Sequence, residues 1–145
     1  MATTYSSTKS GSGVQAVAGI GPVWVFETYE ASVALVINDV IQMVKVPKGA
    51  TIQEIVLAVD DLDTGTTITL SVGDGSSTAR FISASTIGQA GGVTRLGQGI
   101  TGAAAADCLA YQYTAEDTID ILVAAAPTGG GTGTLRLAVA YTMQQ

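Results

Sequence analysis

Between residues 40 and 72 the order of apolar and polar positions predicts three extended segments separated by two turns. In Val40-Ile41-Gln42-Met43-Val44-Lys45-Val46 and in Ile55-Val56-Leu57-Ala58-Val59, β-branched residues crowd both faces of a pleat. Between them, Pro47 fixes φ and removes a ladder donor, and Gly49 tolerates the backbone angles of a tight turn. Over 66–72 the alternation is clean, with Ile68, Leu70 and Val72 on one side and Thr67, Thr69 and Ser71 on the other. Read as a meander, these strands need a second apolar layer.

The remainder of the chain supplies strands for it. Residues 14–20 read as a short first strand, ended by Gly19, Gly21 and Pro22. Residues 23–29 make a stronger one, with Trp24 and Phe26 on one face, Val23 and Val25 on the other, and both sides expected to be covered near its start. A further apolar run covers 33–37, and Asn38-Asp39 offers a bend. Residues 79–83, centred on Phe81, form a short segment. From 85 to 107 the pattern decays into a long excursion with one short strand around 93–96 and one helical turn over Ala103–Ala106. Extended order resumes over 109–113 and 118–124. The last strand alternates Leu135, Leu137, Val139, Tyr141 and Met143 with Arg136, Ala138, Ala140 and Thr142. Strands at this spacing with Gly-rich turns indicate an all-β fold, an antiparallel β-sandwich or jelly-roll-like barrel. Residues 1–13, rich in Ser, Thr and Gly, read as a flexible N-terminal arm unless something pins them, and 14–145 as a single domain.

Composition sharpens the picture. Only 12% of residues are charged, about half the usual globular share, and mean hydropathy is +0.41. A monomer with so few charges lacks solubilising surface, which predicts that apolar strand faces are covered by copies of the chain or by another protein. The net charge of −6, with six scattered basic residues, speaks against nucleic acid and against an anionic membrane surface. No run approaches a membrane span, and residues 1–13 lack the apolar core of a signal peptide.

Candidate chemistry is sparse. The chain has no histidine, the commonest general base and metal ligand, and one cysteine, Cys108, read as a small buried hydrophobe. Gly97-Gln98-Gly99-Ile100-Thr101-Gly102 matches a dinucleotide-binding pattern, but without a βαβ setting it reads as a loop and implies no cofactor. Asp60, Asp61, Asp63 and Asp74 read as solvated turn acids; Asp61 and Asp63 would supply two of the six to eight oxygens a calcium ion needs. Lys45 and Lys48 are the lysines near the central turn, and Glu27, Glu30 and Glu116 show no glycosidase-like pairing, so no catalytic residue is assigned. Trp24, Tyr29, Tyr111, Tyr113 and Tyr141 are expected in the core or an interface, with a sugar platform as the alternative.

Several segments together resemble small virion proteins of tailed bacteriophages, the capsid decoration or cement proteins. They are Val46-Pro47-Lys48-Gly49-Ala50-Thr51-Ile52, Gly73-Asp74-Gly75 through Ala79-Arg80-Phe81-Ile82-Ser83-Ala84, Tyr113-Thr114-Ala115-Glu116-Asp117-Thr118-Ile119-Asp120-Ile121, and the closing Gly-Thr-Leu-Arg-Leu-Ala-Val-Ala-Tyr strand. The resemblance implies a non-enzymatic β-sandwich made in the host cytoplasm and placed on the outside of an icosahedral head. It also implies a homotrimer contacting the major capsid protein. Tyr5 and Lys9 in the arm, Trp24, Lys48 and Arg95 are the residues expected to meet partners. A tail, neck or head-fibre component, or a carbohydrate-binding module, is the alternative.

Overall fold

Apolar alternation sorts the strands into two facing layers. The computed structural model describes residues 2–6 and 21–143. One sheet has the order β1 (Thr4–Ser6), β3 (Val40–Val46), β8 (Asp117–Ala125), β5 (Thr69–Gly73), β6 (Ile82–Ser85). The other runs β2 (Val23–Ala31), β9 (Gly133–Met143), β4 (Ala50–Val59), β7 (Gly92–Arg95). All pairings are antiparallel except that of β1 with β3. Between the layers Ile41, Val46, Ile55, Leu57, Leu70, Val72, Ile119, Ile121, Leu137, Val139 and Tyr141 form one buried core. The expected all-β sandwich is the observed architecture.

The expected meander over 40–72 is not. β3 and β4, joined by the turn at Pro47, belong to opposite sheets, and β5 pairs with β8 and β6. The reason lies in what each strand must bury. A hairpin would place the apolar sides of β3 and β4 on one face and leave both to a third element. An arch turns them toward each other. The turn's backbone is then satisfied from outside: Gly49 N–H donates to Tyr113 O (2.7 Å), and Tyr113 N–H donates to Ala50 O (2.8 Å). Residues 109–113, expected to be extended, make only an isolated bridge from Gln112 to Thr51. Crowding on both faces of β3 traces to a bulge between Gln42 and Val44, which lets Met43 and Val44 both be buried.

Other boundaries move for local reasons. The strand expected over 66–72 begins only at Thr69, because Thr67 N–H and Ile68 N–H donate to the carboxylate of Asp63 and not to a ladder. The run 33–37 forms a surface loop in which Leu35 alone is buried. The helical turn extends to α1 (Ala103–Cys108), whose Cys108 is buried. The stretch 97–102 is fastened to β6: Gly97 N–H donates to Phe81 O (2.8 Å), and Ser83 N–H donates to Gln98 O (2.9 Å). Gly99 sits there at φ 77°, where a Cβ would fall 2.1 Å from Ser83 O.

The N-terminal residues meet a pin. Thr4–Ser6 pairs in parallel with residues 40–42 of β3, and Thr3 N–H donates to the buried Asp39 carboxylate (2.7 Å). The strand expected over 14–20 and the rest of the arm lie outside the described residues.

Gly99→Ala combines a left-handed backbone with a clash against main chain. It should lower unfolding free energy by roughly 2–3 kcal/mol, measured by urea denaturation. A midpoint equal to wild type would show that 97–102 is not anchored on β6.

Candidate partner-binding surface

Three buried carboxylates, Asp39, Asp63 and Asp74, hold loops at the ends of the sandwich. Asp63 is the most connected. Its Oδ1 accepts N–H donors from Gly65 (2.8 Å), Thr128 (2.9 Å) and Gly129 (3.3 Å), and its Oδ2 accepts Thr67 N–H (2.8 Å), Ile68 N–H (2.9 Å) and Thr67 Oγ1–H (3.1 Å). Burial pushes this carboxyl up, but the main-chain donors outweigh it and hold the group well below the ordinary carboxylate range. Asp63 is therefore not a solvated turn acid, and its oxygens are spent on N–H groups and not available to a cation. Asp60 and Asp61 do face solvent. Among the described residues no three His, Cys, Asp or Glu side chains cluster as metal ligands.

Asp74 is likewise buried, correcting the same expectation. It accepts Arg80 Nε–H (2.7 Å), Tyr113 Oη–H (2.8 Å), Ser77 N–H (2.9 Å) and both Ser76 donors. Burial raises its pKa, yet the Arg80 and Tyr113 bonds prevail and bring it down to about 2. The Arg80 guanidinium also lies 3.9 Å over the Tyr111 ring, which meets Tyr113 edge-on. Asp39 ties Thr3 to Val36, whose N–H it accepts at 2.9 Å. Asp120, on β8 opposite Gln42 and Gly73, is 8% exposed, and its Oδ1 has no hydrogen-bond partner among the described residues.

The outward face of the four-stranded sheet is the surface that lacks cover among the described residues. Cross-strand register places Trp24 beside Ala140, Phe26 beside Ala138 and Val56, and Thr28 beside Arg136 and Ala58. Trp24 (47% exposed) and Phe26 (67%) stack at 6.0 Å with planes 14° apart. Both sides of β2 were expected to be covered at its start; among the described residues only the Val25 side is. Next to Phe26 lies a shallow open trough of about 260 Å³ lined by Phe26, Glu27, Thr28, Val56, Ala58, Arg136, Leu137 and Ala138. Val93, 62% exposed, continues the apolar face onto β7. The two arginines there are tied down, Arg136 to Asp60 (3.0 Å) and Arg95 to Glu54 (3.4 Å). Further apolar side chains stand out at the two ends of the sandwich. Val33, Val36 and Ile37 follow the end of β2, and Leu109 precedes the 111–113 segment that braces the start of β4.

Of the residues expected to meet partners, Trp24 and Arg95 share this face. Lys48 is exposed on the turn before β4, and Tyr5 lies at the edge of the other sheet with its ring 5.6 Å from Tyr29. Lys9 is outside the described residues. Sequence reasoning missed the trough. Its signal was the small outward pair Ala138 and Ala140 in the last strand, where a solvated face normally carries polar residues.

No protein-family model matches the chain, and no curated protein matches it significantly. Solved structures do. A chain in the capsid of Ralstonia phage GP4 is 27% identical with a TM-score of 0.79, covering 98% of this chain and 99% of that one. A chain in the capsid asymmetric unit of cyanophage Pam1 is 28% identical with a TM-score of 0.72, covering 93% and 96%. The fold is also similar to a chain in the acid-stable capsid of Helicobacter pylori bacteriophage KHP30, at 16% identity and a TM-score of 0.59 over 90% and 94%.

Burial raises the Asp120 pKa to about 7; a Thr118 hydrogen bond opposes this, and the charges of Asp117 and Asp74 add to it. An ordinary aspartate ionises near 3.8, so the folded state keeps a proton that the unfolded chain loses between those values. Stability from the protonated group is complete below pH 3.8 and is lost as pH rises through about 7. Asp120→Asn should therefore match wild type near pH 4 and exceed it at pH 8, by on the order of 2–4 kcal/mol. Thermal melts at both pH values check this; a variant less stable than wild type at pH 8 would contradict the assignment.

Proposed function

We propose that this chain is a structural protein of a phage virion, and within that class a capsid decoration, or cement, protein. In this reading it sits as a homotrimer on the outside of an icosahedral head and stabilises contacts between major capsid subunits. The observation that carries the reading is near full-length similarity, at 27% and 28% identity, to chains in two solved phage capsids. The surface agrees with a passive fastener. A clamp across a seam must touch two bodies, and this sandwich bears exposed apolar side chains at both ends and on one face. The eleven-residue β9 runs between those ends, a span of about 35 Å at the rise of an extended strand. Each large apolar side chain buried there contributes about 1.5–3 kcal/mol, enough for a few to hold a subunit in place.

A carbohydrate-binding module is the second reading, and the half-exposed Trp24 stacked on Phe26 is what favours it. Sugar recognition also needs fixed polar groups beside the rings, whereas the trough next to Phe26 is apolar along Val56, Ala58 and Ala138.

The test is direct. Purified chain is added to head shells assembled without it, and binding is followed by co-sedimentation. Bound shells should withstand disruption several degrees hotter than bare ones, the chain should sediment as a trimer, and a glycan array should stay blank. Shells that neither take up the chain nor gain heat resistance would remove the capsid reading, and saturable glycan binding would replace it.

A further inference from the structure

We infer that the outward face of the four-stranded sheet docks a cationic protein segment. One large aliphatic side chain would sit over Ala58 and Ala138, with a lysine or arginine beside it reaching Glu30. The inference rests on the reading that the chain binds another virion protein, and adds where and by what chemistry.

Three observations carry it. First, the trough is built by side-chain size: alanines at 58 and 138 make the floor, Phe26 one wall and the Arg136 stem the other. Water gains nothing in such a place, whereas an aliphatic side chain loses its hydration cost there. Second, the positive charges on this face are already spent, since Arg136 is bound to Asp60 and Arg95 to Glu54. Third, Glu30 projects on the same side two positions beyond Thr28, where its carboxylate accepts a hydroxyl donor from Thr134 and, among the described residues, is paired with no lysine or arginine. The excess charge of the face is therefore negative, as is that of the whole chain at −6. A second copy docked by the same face would set one negatively charged face against another. A partner carrying lysine or arginine completes the face, and a second copy does not.

The chain contains its own reporter. Trp24 is its one tryptophan and stacks on Phe26, so its emission responds when the trough fills. The full chain is titrated with a ten-residue peptide alternating leucine and lysine, and separately with one alternating leucine and glutamate. Emission should shift to the blue and saturate with the lysine peptide alone. Ala58→Leu, which fills the trough, should weaken binding about ten-fold or more, and Glu30→Gln about three-fold with a smaller loss on adding salt. Val33→Ser, at the end of the sandwich, should change nothing. No saturable shift, equal response to both peptides, or unaltered affinity in Ala58→Leu would each overturn the inference. So would self-association of the free chain that Ala58→Leu abolishes. The shell assay separates the two readings. Shells that bind Ala58→Leu as tightly as wild type would sink the trough and leave the capsid reading standing. A wild-type chain that passes the peptide titration yet ignores shells would do the reverse.

Discussion

A sandwich with so few charges holds together only if the polar backbone at its ends is satisfied, and Asp63 does most of that at one end. One carboxylate gathers five main-chain N–H groups from 65–68 and 128–129, the second segment more than sixty residues from Asp63 itself. Because the acceptor is ionised, each bond is stronger than a neutral one, and removing it would strand buried donors. The effect spreads outward. Gly131 N–H donates to Leu62 O (2.7 Å), and Leu35 N–H donates to Gly131 O (3.0 Å), so the loop bearing Val33, Val36 and Ile37 is held at second hand. At the opposite end Asp74 plays the same part, with Arg80 and Tyr113 supplying the donors.

These anchors explain why consecutive strands can change sheet. A hairpin satisfies its backbone by pairing its own two arms, whereas an arch leaves inner edges to be met by something else. Between β3 and β4 that role falls to residues 111–113. Between β4 and β5 it falls to Asp63 and the 127–131 loop. Both arches place apolar faces toward each other, which is the larger gain, and distant segments meet the polar cost.

What could be read in the chain divides along the same line. β8 and β9 were legible because alternation at a period of two is a property of the strand itself: Ile119, Ile121 and Val123, like Leu135, Leu137, Val139 and Tyr141, are all buried; β2 and β3, apolar on both faces, were legible from their β-branched and aromatic content. Topology was not, since nothing within 40–59 distinguishes an arch from a hairpin. The difference is made by Tyr113. The role of Asp63 was equally hidden: in sequence it is one acid among four, and only Thr128 and Gly129 arriving from far away make it a buried acceptor. The trough was half legible. Ala138 and Ala140 alternate with the core set, but that they form a concavity depends on Phe26 and Ala58 from two other strands.

Rigid ends and bare apolar faces belong together physically. A partner-binding surface built on loose loops would lose much of its contact energy in ordering them, on the order of 0.5–1.5 kcal/mol per side chain immobilised. Here Trp24 and Phe26 stand on a nine-residue strand in full register with β9, and the trough floor is sheet. The apolar loop 33–37 is tethered at Leu35 and at Val36, the latter through Asp39, which also holds Thr3. The buried carboxylates thus do more than stabilise the fold. They fix in advance the geometry of the surfaces left apolar, so that most of the energy of covering them is available to hold a neighbour.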